Sequence, residues 1–302
     1  MIYPRYGYGR ASWDLGFTVR RGEGTLTQAA AASAGRSGVR LRLADPQSVL
    51  PELAKVYDGL LPSRPGFFAR SDAWWRRMVY DAPEHRGGAG PLRCLLAEDD
   101  SGPRGYALYS ANGKWDGSLP DNVLSVRELM AADDAVSAVL WGDLLTRDLT
   151  GEFRVDRRPV DDPLQFQLAD PRRTRSKLTD ALWVRLTDVP RALAGRRYSS
   201  PVDVVIEVRD EILPSNAGRW RLTAAGEADA ARGWGLAATC EPSAGTADLT
   251  LDVRELGAAY LGGTSLTALA GAGLVTELRP GAVRQLSTAM SWEPAPWCPM
   301  VF

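Results

Sequence analysis

The first half of the chain alternates hydrophobic and polar positions in short runs that are separated by helical segments. Residues 11–20 place Trp13, Leu15, Phe17 and Val19 on one face, which is the two-residue period of a half-buried strand. The same patterns predict strands at 39–43, 93–98, 105–109 and 123–129 and helices at 45–60, 71–80 and 133–145. Strands and helices in this order indicate an α/β unit with a mixed central sheet.

The second half of the chain has its own set of elements. Residues 171–177 are basic and carry no period, so we expect a domain boundary near residue 175. Beyond it the patterns predict strands at 182–186, 202–208, 219–224 and 249–253, then helices at 253–260, 264–271 and 281–290. Near the start of the chain, residues 21–36 are rich in Gly, Ala, Thr and Ser without a period, which predicts a mobile linker.

Composition excludes several classes of protein. The 302 residues carry a formal net charge of −1, and this argues against nucleic-acid or anionic-membrane binding, which needs a clustered positive field. Three scattered cysteines form neither a disulfide framework nor a metal motif, so we expect a reducing, cytoplasmic location. With a single histidine, a multi-histidine metal centre is impossible, and we predict no metal. No apolar run approaches the length of a membrane span.

Motifs of nucleotide binding and hydrolysis are missing from the sequence. Glycines occur at 87–90 and 257–263, but neither run has the spacing of a phosphate-binding loop. Residues 127–132, before the helix at 133, offer no glycine nest for a pyrophosphate. His85 lies in a Pro/Gly-rich segment and no GxSxG elbow is present, so we interpret His85 as a solvated loop residue. If this unit descends from a coenzyme A binder, its own site is lost.

The last eleven residues form a proline-rich tail. Pro294, Pro296 and Pro299 prevent the tail from forming a helix or a central strand. The aromatic side chains of Trp292 and Trp297 must therefore dock individually, and we take both as candidate substrate-contacting residues.

Three ordered motifs resemble a known family. Residues 2–9, Ile-Tyr-Pro-Arg-Tyr-Gly-Tyr-Gly, resemble the Ile-Tyr-Gly-Arg-Phe-Gly-Tyr-Gly segment of the enhanced intracellular survival (Eis) acetyltransferases. Residues 182–193, Leu-Trp-Val-Arg-Leu-Thr-Asp-Val-Pro-Arg-Ala-Leu, are similar to that family's Leu-Trp-Leu-Arg-Ile-x-Asn-Val-Pro-x-Ala-Leu, and residues 256–262 to its Leu-Gly-x-Leu-Tyr-Leu-Gly helix. The motifs span nearly the whole chain.

The resemblance implies an α+β fold and a layout of parts. The family joins a GCN5-related (GNAT) domain that binds acetyl-CoA, a GNAT-like domain that has lost that site, and a part like sterol carrier protein 2. Residues 1–22 would be a remnant of the first GNAT domain and a strand joining the C-terminal domain, and residues 23–36 a linker. Residues 37–175 would be the GNAT-like, mixed-sheet domain without a coenzyme A site, and residues 176–302 the sterol-carrier-protein-2-like domain.

The resemblance also implies site residues. The family's Ile-Tyr tyrosine protonates the departing coenzyme A thiolate, and that position is Tyr3 here. The family's terminal carboxylate, on a final Phe, accepts the amine proton, and here it belongs to Phe302. Val301 is the third candidate substrate-contacting residue, and it stands where members acting on polycationic aminoglycosides commonly carry an acid. The loss of that acid weakens recognition of a polyamine.

Together these observations predict an Eis-type N-acetyltransferase that moves an acetyl group from acetyl-CoA to a primary amine. The chain begins next to Tyr3, so we expect the acetyl-CoA-binding domain to be absent, acetyl-CoA to be a co-substrate only when that domain is present, and this chain alone to bind none and be inactive. The alternative is a non-catalytic small-molecule-binding protein that holds an apolar ligand under a lid of Trp292 and Trp297. The expected partners are a small-molecule amine or apolar ligand, an N-terminal GNAT domain or chain, and further copies of this chain. We expect no nucleic-acid partner and no membrane span.

Overall fold

The structure is a computed structural model that describes residues 2–113, 115–117, 119–226 and 235–301. Its contacts divide the chain into two compact units. The split unit contains the residues up to Trp13 together with Asp180–Cys298, and the central unit contains Asp14–Thr179 with the residues from Pro299 onward. Within the described ranges, no helix has the length and apolar character that crossing a bilayer requires.

The predicted helices and strands are present, but the sequence patterns did not predict other elements, among them the strands at Thr150–Arg158 and Ala238–Pro242. The strands are β1 (Gly9–Arg10), β2 (Trp13–Arg20), β3 (Arg40–Ala44), β4 (Arg93–Asp99), β5 (Gly102–Asn112), β6 (Trp115–Asp116), β7 (Leu119–Pro120), β8 (Asn122–Ala131), β9 (Thr150–Arg158), β10 (Lys177–Asp180), β11 (Trp183–Val184), β12 (Val202–Arg209), β13 (Gly218–Ala224), β14 (Ala238–Pro242), β15 (Leu249–Asp252) and β16 (Val275–Glu277). The helices are α1 (Gln28–Arg36), α2 (Leu50–Leu60), α3 (Asp72–Met78), α4 (Asp134–Leu145), α5 (Leu164–Gln167), α6 (Val189–Gly195), α7 (Val253–Ala259), α8 (Leu266–Gly271) and α9 (Ala282–Met290).

A mixed sheet forms the framework of the central unit. Its strands follow the order β10-β2-β9-β8-β5-β4-β3. Strands β8 and β9 are parallel and are joined through α4, whereas β2–β9, β5–β8, β4–β5 and β3–β4 are antiparallel. Parallel neighbours need such a crossover, because a tight turn can only join antiparallel strands.

Helix α4 and the strands under it build one core of the central unit. Trp141 of α4 is fully buried, and its ring meets Phe153 of β9 edge to face at 5.4 Å. Along β5, Tyr106 to Tyr109 are all buried, so both faces of this strand are covered. A strand that is buried on both faces loses the alternating pattern, which is why this segment is a continuous apolar run in the sequence.

The split unit has a five-stranded sheet with helices packed around it. The strand order is β14-β13-β12-β15-β16, and β12 pairs in parallel with β15. Its core contains Ile206 and Val208 of β12, Leu256 of α7 and Leu286 of α9, all buried. A separate two-stranded ribbon joins β1 to β11 in the same unit.

The linker expected at 23–36 is wrong, because residues 28–36 form helix α1. Thr27 caps the helix, and its side-chain oxygen accepts a hydrogen bond from the amide of Ala30 at 3.2 Å. Alanine is the best helix former, so the Ala-rich run from Gln28 to Arg36 becomes helical without an amphipathic period. Only one of its residues, Ala30, is buried, so the pattern that predicts helices was missing.

The predicted role of residues 1–22 also needs correction. The strand near 11–20 was expected to join the C-terminal domain, but β2 pairs with β9 in the sheet of the central unit. Phe17 lies opposite Val155, and its side chain joins the core under α4. The split unit keeps only the residues up to Trp13 from this end of the chain. The boundary expected near 175 lies close to the observed transition at Asp180.

Candidate functional site

Tyr3 opens a 3₁₀ turn, Tyr3–Tyr6, at the start of the split unit. The turn ends at Gly7, whose φ of 74° is a left-handed conformation that favours glycine. The Tyr3 side chain is 52% exposed, and its ring stacks on the indole of Trp183 with centroids 5.6 Å apart. An exposed phenol that is fixed on one face can present its hydroxyl to a molecule outside this unit.

The three resembling motifs meet around this turn. Gly9 of the first motif pairs with Val184 of the second in the β1–β11 ribbon. The ribbon lies directly on α7, which carries the third motif: a β-carbon at Gly9 would lie 2.0 Å from the carbonyl oxygen of Arg254. A β-carbon at Gly257 would lie 2.4 Å from the carbonyl oxygen of Val184. Glycine is therefore required on both sides of this contact, because the backbones touch.

Arg185 ties the tyrosine turn to the body of the split unit. One guanidinium nitrogen donates to the carbonyl oxygen of Tyr6 at 2.7 Å, and another donates to both carboxylate oxygens of Asp210 at 2.9 Å. Burial works to raise the pKa of Asp210, but hydrogen bonds from Asn216, the Leu213 amide and Arg185 outweigh it, so this pKa is lowered. The Asp210 side chain is almost fully buried and stays charged at neutral pH.

A cavity of about 420 Å³ lies in the central unit and reaches the last described residue, Val301. Helix α3, the segment after it, and strands β8 and β9 supply its walls together with the tail. Its lining includes three arginines, Arg77, Arg127 and Arg157, and none of its described lining residues is acidic. Burial lowers the pKa of Arg127, as does the positive charge of Arg157, and the negative charges of Asp81 and Glu128 only partly oppose this effect. The site is therefore cationic, although the whole chain is nearly neutral.

A buried ion pair anchors the elements that carry these arginines. Arg70, just before α3, donates to both carboxylate oxygens of Glu128 on β8, at 2.9 and 2.5 Å. The Tyr106 hydroxyl donates to the same carboxylate at 2.6 Å, and the guanidinium carbon of Arg70 lies 3.9 Å from the ring centre of Tyr57. Burial raises the pKa of Tyr106, and the charge of Glu128 adds to this effect. The pair holds α3 against the sheet, because losing either charge would leave the other buried without a partner.

A second cavity, of about 500 Å³, lies in the same unit between the start of α1 and the end of α4. Leu26, Leu145 and Phe153 line it beside Arg20 and Arg147. None of the residues predicted as site residues lines this cavity, so we do not assign it a function. In the part of the chain that the structure describes, no cluster of His, Cys, Asp or Glu side chains is arranged to hold a metal ion.

The predicted site residues are found in different places. Val301 is half exposed and lines the 420 Å³ cavity. Trp292 and Trp297 belong to the split unit: Trp292 is half-buried over Gly235, where a β-carbon would lie 2.8 Å from its ring, and Trp297 is buried. Neither tryptophan is among the residues that line the cavity. Phe302 lies outside the described residues, so its proposed partnership with Tyr3 stays a prediction.

The N-terminus of α4 follows residues 127–132, the segment in which the sequence offers no glycine nest for a coenzyme A pyrophosphate. Asp133 caps this helix, and its side-chain oxygen accepts from the amide of Val136 at 2.9 Å. Its other oxygen accepts from Arg104 at 3.0 Å, and Asp134 follows in the first turn. The Asp133 carboxylate binds one of the amides that a phosphate would use, and its charge repels an anion.

Sequence patterns did not predict several residues of the candidate site. Arg77, Arg127 and Arg157 come from three segments and share no spacing, in a chain where arginine supplies 33 of the 36 basic residues. His85, interpreted as a solvated loop residue, is exposed but lines the cavity. Trp183, which stacks on Tyr3, was not among the predicted site residues. The only signal for Trp183 was its place in a resembling motif.

Comparison with known proteins defines the class of this protein. Residues 66–186 match the model of an acetyltransferase (GNAT) domain, and residues 189–299 match that of a sterol carrier protein domain. The chain thus joins a GNAT domain to a sterol-carrier-like domain, as its mixed sheet and its α+β split unit indicate. This confirms the fold class that the sequence implied.

Relatives then narrow the class to a family. An N-acetyltransferase of Streptomyces coelicolor, itself described as uncharacterised, is 42% identical over 100% of this chain and 70% of its own length. N-acetyltransferase Eis of Mycobacterium tuberculosis is 29% identical over 96% of this chain and 66% of its own length. The crystal structure of Eis1 from Mycobacterium abscessus has a TM-score of 0.79 and 30% identity, covering 100% of this chain and 71% of that one. The chain belongs to the Eis family of GNAT-type N-acetyltransferases.

Proposed function

We propose that residues 1–302 supply the proton-donating and acceptor-binding side of an Eis-type N-acetyltransferase. The amine nitrogen attacks the thioester carbonyl carbon of acetyl-CoA, a C–N bond forms, and the C–S bond breaks. The Phe302 carboxylate takes one proton from the substrate ammonium through a water molecule, which leaves a neutral amine to attack. The Tyr3 hydroxyl gives its proton to the departing thiolate, and the second proton that the nitrogen loses returns to the Tyr3 oxygen. The products are an N-acetylated amine and coenzyme A.

The placement of Tyr3 is the observation that carries this proposal. The three motifs that resemble the family interlock through glycine contacts and through Arg185. They form a fixed turn on which Tyr3 is half exposed and stacks on Trp183. A tyrosine with only a packing role would be buried among apolar neighbours, whereas this one keeps half of its surface accessible.

The acetyl-CoA site, we propose, lies outside residues 1–302. At the N-terminus of α4 the Val136 amide is already bound by Asp133, and Asp134 adds a second negative charge, so this helix end is unfavourable for a pyrophosphate. The relatives are also longer than this chain, which covers about 70% of the Streptomyces coelicolor protein. A cytoplasmic location and a homo-oligomer stay predictions.

Reconstitution tests the proposal. The segment that precedes the matched region in the Streptomyces coelicolor relative is mixed with this chain or fused to it, and acetylation of an amine panel is followed by mass spectrometry. We expect no product from this chain alone and product from the combined protein. Acetylation by this chain alone would overturn the placement of the donor site, and binding of apolar ligands without any transfer would favour the alternative, a non-catalytic binding protein.

Two variants of the combined protein test the chemical roles. Tyr3→Phe keeps the ring that stacks on Trp183 but removes the acid, so we expect kcat to fall by about a hundredfold or more. Tyr6→Phe is the matched control, since Tyr6 lies in the same turn and its ring is 58% exposed. A single glycine added after Phe302 moves the carboxylate and should lower the rate similarly. Equal rates for Tyr3→Phe and the unmodified protein would reject the assigned acid.

A further inference from the structure

The arginine-lined cavity has a chemistry that the amine-acetylating activity alone does not explain. We propose that it binds the anionic group of the acceptor, so that the substrate of this protein is an amine that also carries a carboxylate or a phosphate-like group. That the bound molecule is the acetyl acceptor rests on the proposed function, but binding of an anion in the cavity can be measured without acetyl transfer.

No carboxylate of the described residues forms an ion pair with the arginines that line the cavity, although the negative charges of Asp81 and Glu128 act on Arg127. Among the residues that the structure describes, neither Arg77 nor Arg157 forms an ion pair, and Arg127 donates only to the backbone oxygens of Met78 and Tyr80. Nearby carboxylates are engaged elsewhere: Asp81 pairs with Arg86 at 2.9 Å and Glu128 pairs with Arg70. Converging like charges repel, and an anion that enters between them removes this cost.

Arginine is well suited to this task. Its planar guanidinium binds carboxylate and phosphate through two parallel hydrogen bonds, and it stays charged when partly buried. Arg127 lies on β8 and Arg157 on β9, the parallel pair of the central unit, whereas Arg77 comes from α3. Three rigid elements thus present cations to one cavity, whose volume of about 420 Å³ suits a small molecule.

The other residues that line the cavity indicate the chemistry of the rest of the acceptor. Trp74, Tyr80 and His85 line the cavity beside the arginines, and the rings of Tyr80 and His85 lie 5.6 Å apart. Aromatic walls favour an apolar or aromatic substrate body. Val301 borders the same cavity next to Phe302, which we propose accepts the amine proton. A primary amine that accepts the acetyl group and an anion bound by the arginines together describe an amino-acid-like substrate, which is unlike a polycationic aminoglycoside.

Equilibrium binding to the 302-residue chain tests this inference with three ligands on one skeleton. The probes are 2-phenylethylamine, phenylalanine and 1-amino-2-phenylethylphosphonate, which differ only in having no anionic group, a carboxylate or a phosphonate; spermine is the polycationic comparison. We expect at least one of the two anionic probes to bind about tenfold or more tightly than 2-phenylethylamine, and spermine not to bind. The tighter of the two anionic probes identifies which anion the site prefers.

Variants then locate the binding. Arg77→Gln and Arg157→Gln should each weaken the preferred anionic probe by about tenfold. Arg76→Gln is the matched control, because Arg76 is the neighbour of Arg77 on α3, is exposed, and does not line the cavity. Val301→Glu places an acid in the cavity, so we expect weaker binding of the anionic probe and measurable binding of spermine.

The outcomes separate this inference from the proposed function. Equal affinity for all three probes, or losses in Arg76→Gln as large as in Arg77→Gln, would overturn the anionic cavity. Anion-dependent binding without acetylation by the reconstituted protein would support the cavity and reject the proposed function. Acetylation of phenylethylamine in preference to phenylalanine would support the function and reject the cavity.

Discussion

The ring of Tyr3 lies on the indole of Trp183 at 5.6 Å, with 25° between the two planes. Trp183 is itself fixed, because its indole N–H donates to Asp180 at 2.9 Å and its backbone pairs with Arg10. A flat ring against one face of Tyr3 leaves the phenol only a few orientations. Trp183 is therefore a positioning residue for the proposed acid.

Replacement of Trp183 should reduce turnover without weakening donor binding. In the reconstituted enzyme we expect Trp183→Leu to lower kcat by about tenfold with little change in the KM for acetyl-CoA, since a small displacement of a catalytic group is costly. Trp183→Phe keeps a stacking ring and should restore most of the rate. Trp115→Leu, at a tryptophan that is 61% exposed in the central unit, is the control. A rise in KM with kcat unchanged would assign Trp183 to binding instead.

The close contact between β1 and α7 predicts a large effect from one methyl group. Gly9→Ala would place a β-carbon 2.0 Å from the Arg254 carbonyl oxygen and 2.2 Å from the Ala258 amide nitrogen. We expect a loss of about 1–3 kcal/mol or more in the free energy of unfolding, because backbone atoms cannot move aside as a flexible side chain can. Chemical denaturation measures this change.

Gly35→Ala is the control for that experiment. Gly35 lies in helix α1 with open space around it, so alanine should stabilise the helix by about 0.5–1 kcal/mol. An equal change in the free energy of unfolding for Gly9→Ala and Gly35→Ala would contradict the close backbone contact at Gly9.

Sequence patterns predicted many of the core helices and strands but few residues of the candidate site, for physical reasons. Strand β12 alternates buried and less buried positions from Val202 to Val208. This period of two arises because one face of the strand is buried. Helix α1 has almost no buried face, so periodicity could not reveal it. The pairing of β2 with β9 joins residues more than 130 positions apart, and no local pattern encodes such a partner.

The candidate site shows the same division between local and non-local information. Tyr3 could be named as a candidate because its motif is local and resembles a family segment. The cavity arginines could not be found, because Arg77, Arg127 and Arg157 converge only after α3, β8 and β9 have packed together. A chain with 36 basic residues gives no reason to single out three of them.

The Arg185–Asp210 pair predicts a pH dependence of stability. The pKa of Asp210 is lower in the folded protein than its ordinary value, so the folded state favours the charged form. Its contribution is therefore complete above the unfolded pKa, about 3.9, and is lost as the pH falls through the folded pKa. We expect Asp210→Asn to be less stable than the unmodified chain at pH 7, and the difference to shrink toward pH 3.

Denaturant unfolding of both proteins across this pH range gives the comparison. Asp203→Asn is a useful control, since Asp203 also has a lowered pKa from its hydrogen bond with Arg221 but lies on the exposed face of β12. Its effect at pH 7 should be smaller, because exposed pairs are screened by solvent. A difference for Asp210→Asn that stays constant with pH would show that the carboxylate charge does not stabilise the fold.

Breaking the buried Arg70–Glu128 ion pair should cause the largest loss in the free energy of unfolding. The side chain of Arg70 is 0% exposed and that of Glu128 only 2%, so Glu128→Ala would leave a guanidinium charge buried without its partner. We expect this to cost about 3–5 kcal/mol, whereas Arg70→Met combined with Glu128→Leu should cost less than Glu128→Ala alone, since no isolated charge remains. Glu152→Ala, which breaks the more exposed pair with Arg154, should cost below about 1 kcal/mol. Chemical denaturation of these three variants and the unmodified chain compares the losses. A double variant as unstable as Glu128→Ala would show that packing, not charge pairing, governs this site.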